Sequence, residues 1–265
     1  MTSPKTITVT RRGLAPIASD VLAHVFTVAM VLLWWGYSNV VPSYQLPGPW
    51  PVARRIGRFL TDADDVAQLG LSLAHVCLSI AIAFVLGCVL AALAHYLRPL
   101  RLLIDGRLTP FLNAFSGIGW LFIAMIWFGL NSVTVVFAVT LILVPFTIIN
   151  VRTGLQELDG DLVELGRSLS RSAWRRTIKI VGPLLMPYLF AALRTSFGVS
   201  WKVVLTSELF GGSGGVGYML NVARQEFDTQ TIFAIIVFIL LFVVAAEVVL
   251  FRPVQRRLDR RYARG

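Results

Sequence analysis

Long apolar runs separated by short polar, basic connections dominate the chain. Six windows, at about 21–41, 70–94, 108–130, 132–151, 184–206 and 231–251, are long and apolar enough to cross a bilayer as helices. In lipid every backbone amide must be satisfied within its own segment, and the two-residue alternation of a membrane barrel is missing, so helices are predicted. The third and fourth windows almost touch, which places a tight turn at Gly129-Leu130-Asn131-Ser132. Residues 1–20 read as a polar, basic tail, and 252–265 as a second basic tail. After the first window, Val52, Ile56, Phe59 and Leu60 fall on one side of a short helix suited to a membrane interface.

The longest polar connection, 152–183, has a pattern of its own. Leu155, Leu158, Leu162, Leu165 and Leu169 recur at alternating three- and four-residue steps, a narrow helical stripe. Asp161 and Glu164 make a capping-box-like start, and Ser170-Arg171-Ser172 offers a break before a second helix through Trp174 and Ile178. Periodicity alone leaves two readings: a helix pair that docks on another protein, or one lying on lipid headgroups.

Composition agrees with the windows. Of 265 residues, 56% are hydrophobic and 14% charged, too few charges to cover a water-soluble surface. The net charge of +10 is unevenly placed. With the N-terminus inside, eighteen of the 24 Lys and Arg fall on the inner side. Four (Arg54, Arg55, Arg58, Arg224) fall outside, and Arg194 and Lys202 lie within a window. The positive-inside rule then puts both termini in the cytoplasm, and lipid headgroups account for the charge without a nucleic-acid partner. The first window is read as an uncleaved anchor, because no small-x-small cleavage site ends it. Cys77 and Cys88 lie eleven residues apart on one predicted helix, too far to bond to each other, and fit no metal site.

Candidate chemistry is sparse. No H-E-x-x-H, G-x-S-x-G or paired intramembrane aspartate occurs. Residues 212–217 match G-x-G-x-x-G, but they follow a helix rather than a strand, so no dinucleotide site is expected. That loop either flanks the mouth of a pathway or is a simple connection. Arg194 falls near the middle of its window, where a charge is costly. It serves either to attract an anion or, the favoured reading, to pair with carbonyls or a carboxylate. Lys202 and Glu247 are read as snorkelling from the ends of their windows, and Glu247 as the sole carboxylate within one. His24, His75 and His95 are assigned no chemistry.

The stretch Glu164-Leu165-Gly166-x3-Ser170-x9-Ile180-Val181-Gly182-Pro183 resembles the EAA loop of ABC importer permeases, E-A-A-x3-G-x9-I-x-L-P. Spacing is kept throughout, while Leu165, Gly166, Ser170 and Gly182 depart from the pattern. Ile126-Trp127-Phe128-Gly129-Leu130, Met186-Pro187-Tyr188, Ala192-Leu193-Arg194, Trp201-Lys202-Val203-Val204, Glu208-Leu209 and Gly211 to Tyr218 resemble further segments of the type I permeases of the nitrate/sulfonate/taurine/bicarbonate branch.

The resemblance implies an all-α membrane protein of about six transmembrane helices with the type I ABC importer permease (MetI-like) architecture, in the bacterial inner membrane. It implies an ATPase-coupling helix bearing Glu164, Leu165, Gly166, Leu169, Ser170, Arg171, Ala173 and Trp174, and a pathway to which Arg194, Trp201 and Glu208 are candidates. The implied partners are an ABC ATPase subunit in two copies, an extracytoplasmic substrate-binding protein, a second permease copy and membrane lipid. The chain itself would bind no cofactor and catalyse nothing, ATP being used by the ATPase. Independently of the resemblance, no Walker A is present, since Lys5, Lys179 and Lys202 follow Pro4, Ile178 and Trp201 rather than glycine. The cargo implied is a small anion such as a sulfonate or a nitrate-like solute. A stand-alone secondary transporter is the alternative, and it would need coupling-ion sites at broken helices.

Overall fold

A computed structural model describes residues 15–157 and 181–262. Among them are the helices α1 (Ala15–Ser38), α2 (Pro49–Phe59), α3 (Ala63–Tyr96), α4 (Arg98–Ala114), α5 (Gly117–Phe128), α6 (Ser132–Gln156), α7 (Gly182–Gly211), α8 (Val216–Gln225), α9 (Thr229–Ala246) and α10 (Arg252–Tyr262). A π-helical turn, Ile104–Leu108, interrupts α4, and another, Glu247–Phe251, joins α9 to α10. Three stretches are long and apolar enough to cross a membrane: Ala63–Tyr96, Ser132–Gln156 and Thr229–Leu258. The bent pair α4–α5 makes a fourth if counted as one span.

Side-chain caps start three of these helices. Asp62 accepts from the Asp64 amide, Asn131 from Thr134 and Asp228 from Thr231. The tight turn before α6 uses Gly129 at φ +76°, which closes α5, and then Asn131 as the cap.

The core forms where α3, α6 and α7 pack together. The buried face of α3 is a stripe of mostly small residues, Ser72, Ser79, Ala83, Gly87, Ala91 and Ala94 among them. Lipid tails are as apolar as leucine, so helices gain by close approach rather than by hiding from water. Gly87 shows the closeness: a Cβ there would stand 2.5 Å from the Thr147 Cβ of α6. Larger side chains point outward instead, with Val85, Leu86 and Val89 of α3 and Leu240, Leu241 and Val244 of α9 all exposed. That inversion is the mark of a lipid-facing surface.

Two sequence expectations are corrected here. The window 108–130 is not one helix: α4 and α5 meet at 86°. Phe115 and Ser116 take extended backbone at the break. The Phe115 ring folds back to lie 4.8 Å from that of Trp120, over Gly119, where a Cβ would stand 2.6 Å from the ring. The second correction concerns α2. Its apolar face lies against protein rather than lipid, with Val52 and Phe59 buried in a cluster with Ala234 and Ile235 of α9, while Leu60 points out and is exposed. Arg55 fixes α2 in place by bonding Asp65 at 2.6 Å and Thr231 at 3.0 Å.

Candidate functional site

The coupling residues expected from the sequence, Glu164, Leu165, Gly166, Leu169, Ser170, Arg171, Ala173 and Trp174, lie outside the described residues. The helices on either side of them are described. α6 leads into the segment and α7 leads out of it, and the two are joined at its base. There the Tyr188 hydroxyl donates to the Glu157 carboxylate, and Gly154 admits the Tyr188 ring, whose Cγ would lie 2.6 Å from a Cβ.

Two arginines near this end pair with carboxylates on other helices. Arg152 of α6, only 6% exposed, donates through Nη2 to Asp105 at 2.6 Å, while its Nε is buried with no partner. Arg101 lies 3.8 Å from the same carboxylate. Arg194 of α7 donates to both Glu247 oxygens and to Gln255 Oε1. These groups line a cavity of about 380 Å³ between α7 and the α9–α10 junction, walled also by Pro187, Phe190 and Leu258. The favoured sequence reading of Arg194, pairing with a carboxylate, is what the geometry has. Glu247 is corrected: it is the partner of Arg194 rather than a snorkelling carboxylate.

At the opposite end, Glu208 in the last turn of α7 is fully buried. Its carboxylate accepts from Ser72 Oγ at 2.7 Å and from the Gly217 amide at 2.9 Å, and lies 2.7 Å from His75 Nδ1. Ser72 Oγ accepts in turn from the Val216 amide at 2.7 Å, and Gln68 Oε1 from the Gly215 amide at 2.5 Å. The glycine-rich connection 211–217 is therefore wrapped round one carboxylate. Gly215 has φ +100°, and a Cβ there would overlap the carboxyl group. A bare buried carboxylate would be expensive, and this ring of donors makes it tolerable.

Glu208 lies just past the predicted window 184–206, within α7, and its partner His75 is a residue to which the sequence assigned no chemistry. The pairing was hidden because the two residues are 133 positions apart. Of the pathway candidates, Trp201 and Glu208 are 6% and 0% exposed and present almost no surface to a solute, whereas Arg194 lines a cavity. Between α3 and α6 runs an apolar groove of about 550 Å³, flanked by Leu78, Ile82 and Phe137, with His75 in its wall.

The arrangement buries Ser72, which donates to Glu208 beside His75, fully in the core, and among the described residues no cluster of three His, Cys, Asp or Glu could hold a metal. What it offers is a helical bundle clamped at both ends by buried charge. Residues 83–264 match the model of the binding-protein-dependent transport system inner membrane component family. The chain belongs to this family. It is a multi-pass inner-membrane permease subunit of an ABC importer, which works with a separate ATPase and a substrate-binding protein; the ATPase, not this chain, hydrolyses ATP.

Relatives agree. The chain is 27% identical, over 79% of its length and 77% of the relative's, to SsuC of Bacillus subtilis (strain 168), named as an aliphatic sulfonates transport permease protein. It is 28% identical to the bicarbonate transport system permease protein CmpB of Synechococcus elongatus, over 62% of this chain and 60% of that one. The taurine transport system permease protein TauC of Escherichia coli (strain K12) is 23% identical over 92% of this chain and 90% of its own. Among solved structures, an inward-facing MetNI methionine ABC transporter chain aligns with a TM-score of 0.62 at 18% identity, over 73% of this permease and 95% of that chain. That likeness carries the fold: an all-α, type I importer permease.

Proposed function

We propose that this permease imports a small anion of the sulfonate or nitrate-like kind, and that the connection 152–183, through its stretch 158–181 between α6 and α7, is its contact with the ATPase. The observation that carries the second part is the placement of that segment. It is bracketed by two of the longest helices of the core, which are joined to each other at its base by Tyr188 and Glu157. A partner seated on such a segment can move both helices as one body. Within it, Glu164, Ser170 and Ile180 are residues whose spacing fits the EAA pattern. The anion class is supported by the relatives' names, which refer to sulfonates, taurine and bicarbonate.

In this reading two permease copies enclose the pathway above two ATPase copies, both termini face the cytoplasm, and the α2–α8 end faces the binding protein. The permease holds no cofactor. The test is to co-purify the ATPase subunit with the permease from its native membrane and to repeat this with Glu164→Ala and Ser170→Trp. Both substitutions are expected to weaken the association and stop uptake, with membrane insertion unchanged. Normal association and uptake in both would overturn the assignment. Uptake of taurine, an alkanesulfonate, nitrate and bicarbonate with the cognate binding protein tests the cargo. Transport of none of them would remove the anion reading.

A further inference from the structure

Among the described residues, the π-helical turns Ile104–Leu108 and Glu247–Phe251 each hold a carboxylate, and each carboxylate pairs with an arginine on a helix that borders the 158–181 segment. Asp105 is the second residue of the turn Ile104–Leu108 and bonds Arg152, four residues from the end of α6. Glu247 is the first residue of the turn Glu247–Phe251 and bonds Arg194 of α7. We propose that Arg152 and Arg194 are positioning residues that carry displacement of the 158–181 segment into the two interrupted helices, α4–α5 and α9–α10. This rests on that segment being the ATPase contact.

A π turn holds one residue more than the α-helical ladder accommodates, so it is a place where a helix bends or shifts register, and such turns recur at functional sites. Two turns fastened to the helices on either side of one segment place both yield points where movement of that segment must reach them. Next, the arginine–carboxylate pairs are suited to bear load. They are half-buried or better, where charge pairs are screened less than in water, and a guanidinium holds its acceptor in a fixed direction. Last, neither pair is locked in one register. Arg152 leaves Nε without a partner although it is buried, and Arg194 is shared between Glu247 and Gln255 beside an open cavity. Each guanidinium can thus keep hold of a neighbour while its helix moves. α6 and α7 pack against each other, Val151 and Leu155 with Leu185 and Leu189, and are bonded at the base of the segment through Tyr188 and Glu157, so a displacement of one is shared by the other.

The experiment reconstitutes the permease with its ATPase subunit and binding protein in liposomes and measures ATP hydrolysed per solute imported. Asp105→Asn and Glu247→Gln keep shape and remove charge; the swaps Asp105→Arg with Arg152→Asp, and Glu247→Arg with Arg194→Glu, restore a pair with reversed polarity. The neutral variants are expected to assemble and hydrolyse ATP, with ATP spent per solute raised about fivefold or more, the lower bound of ordinary site-to-site coupling. The swaps are expected to recover much of the loss. A merely structural pair would lower thermal stability and the yield of complex, with the ratio unchanged in whatever assembles; that result overturns the proposal. If the ATPase subunit fails to associate with the unsubstituted permease, the assignment of 158–181 falls, and this inference with it. If it associates and the ratio does not move, only the clamps fall.

Discussion

Glu208 and His75 meet in the core, carboxylate to Nδ1 at 2.7 Å, and that pair fastens the glycine-rich connection 211–217 to helix α3. Removing the Glu208 carboxylate leaves the Ser72 hydroxyl and the Gly217 amide buried without their acceptor and takes the partner from His75 Nδ1, at a cost of about 1–3 kcal/mol for each stranded group. Glu208→Ala is therefore expected to unfold in detergent at a much lower temperature than the parent protein. Ser72→Ala, which removes one hydroxyl that donates to Glu208 and accepts from Val216, should cost about 1–3 kcal/mol. Thermal melts of the two variants check the order; equal losses would contradict it.

Gly215 and Gly70 make a contrasting pair. Gly215 has φ +100° and no space for a Cβ, whereas Gly70 sits inside α3 with nothing within 4 Å of that position. Gly215→Ala is expected to lose at least ~1–3 kcal/mol through backbone strain alone. Gly70→Ala should be neutral or stabilising by about 0.5–1 kcal/mol, since alanine loses less backbone freedom in a helix. Melting temperatures moving in opposite directions would bear this out.

The α3–α6 contact is tested at Gly87. A methyl there would collide with Thr147, so Gly87→Ala should cost about 1–3 kcal/mol as overpacking. Adding Thr147→Gly removes the colliding Cβ and should return part of the loss. A double variant no better than the single one would show that the helices do not meet here.

Orientation is open to labelling. With Cys77 and Cys88 replaced by serine, Tyr44→Cys at the exposed α2 end should react with a membrane-impermeant thiol reagent in intact cells. Arg256→Cys in α10 should react only after permeabilisation. The reverse pattern would invert the topology and place 158–181 outside.

Much of the fold was legible because lipid imposes a blunt rule: apolar stretches of sufficient length become helices. Helices run through the windows 70–94, 132–151 and 184–206, and the turn at Gly129 to Ser132 is where φ +76° and an asparagine cap place it. The break inside 108–130 was not legible, because hydropathy has no term for a phenylalanine ring folding back over Gly119. Nor did the sequence reveal where its few intramembrane charges find partners. Arg194 announced a need for one, but Glu247 and Gln255 are supplied by a helix more than fifty positions away. Leu60 was misplaced for a smaller reason: it caps α2 with helical backbone, but about 100° round from Phe59 it falls at the edge of the apolar face and points out.

This permease is worked by another subunit's ATP. The most direct test is solute accumulation in liposomes containing the permease alone, against liposomes that also hold the ATPase subunit, binding protein and ATP. Accumulation only in the complete, ATP-fed system is the predicted result. Concentrative uptake by the permease alone, driven by an ion gradient, would contradict it.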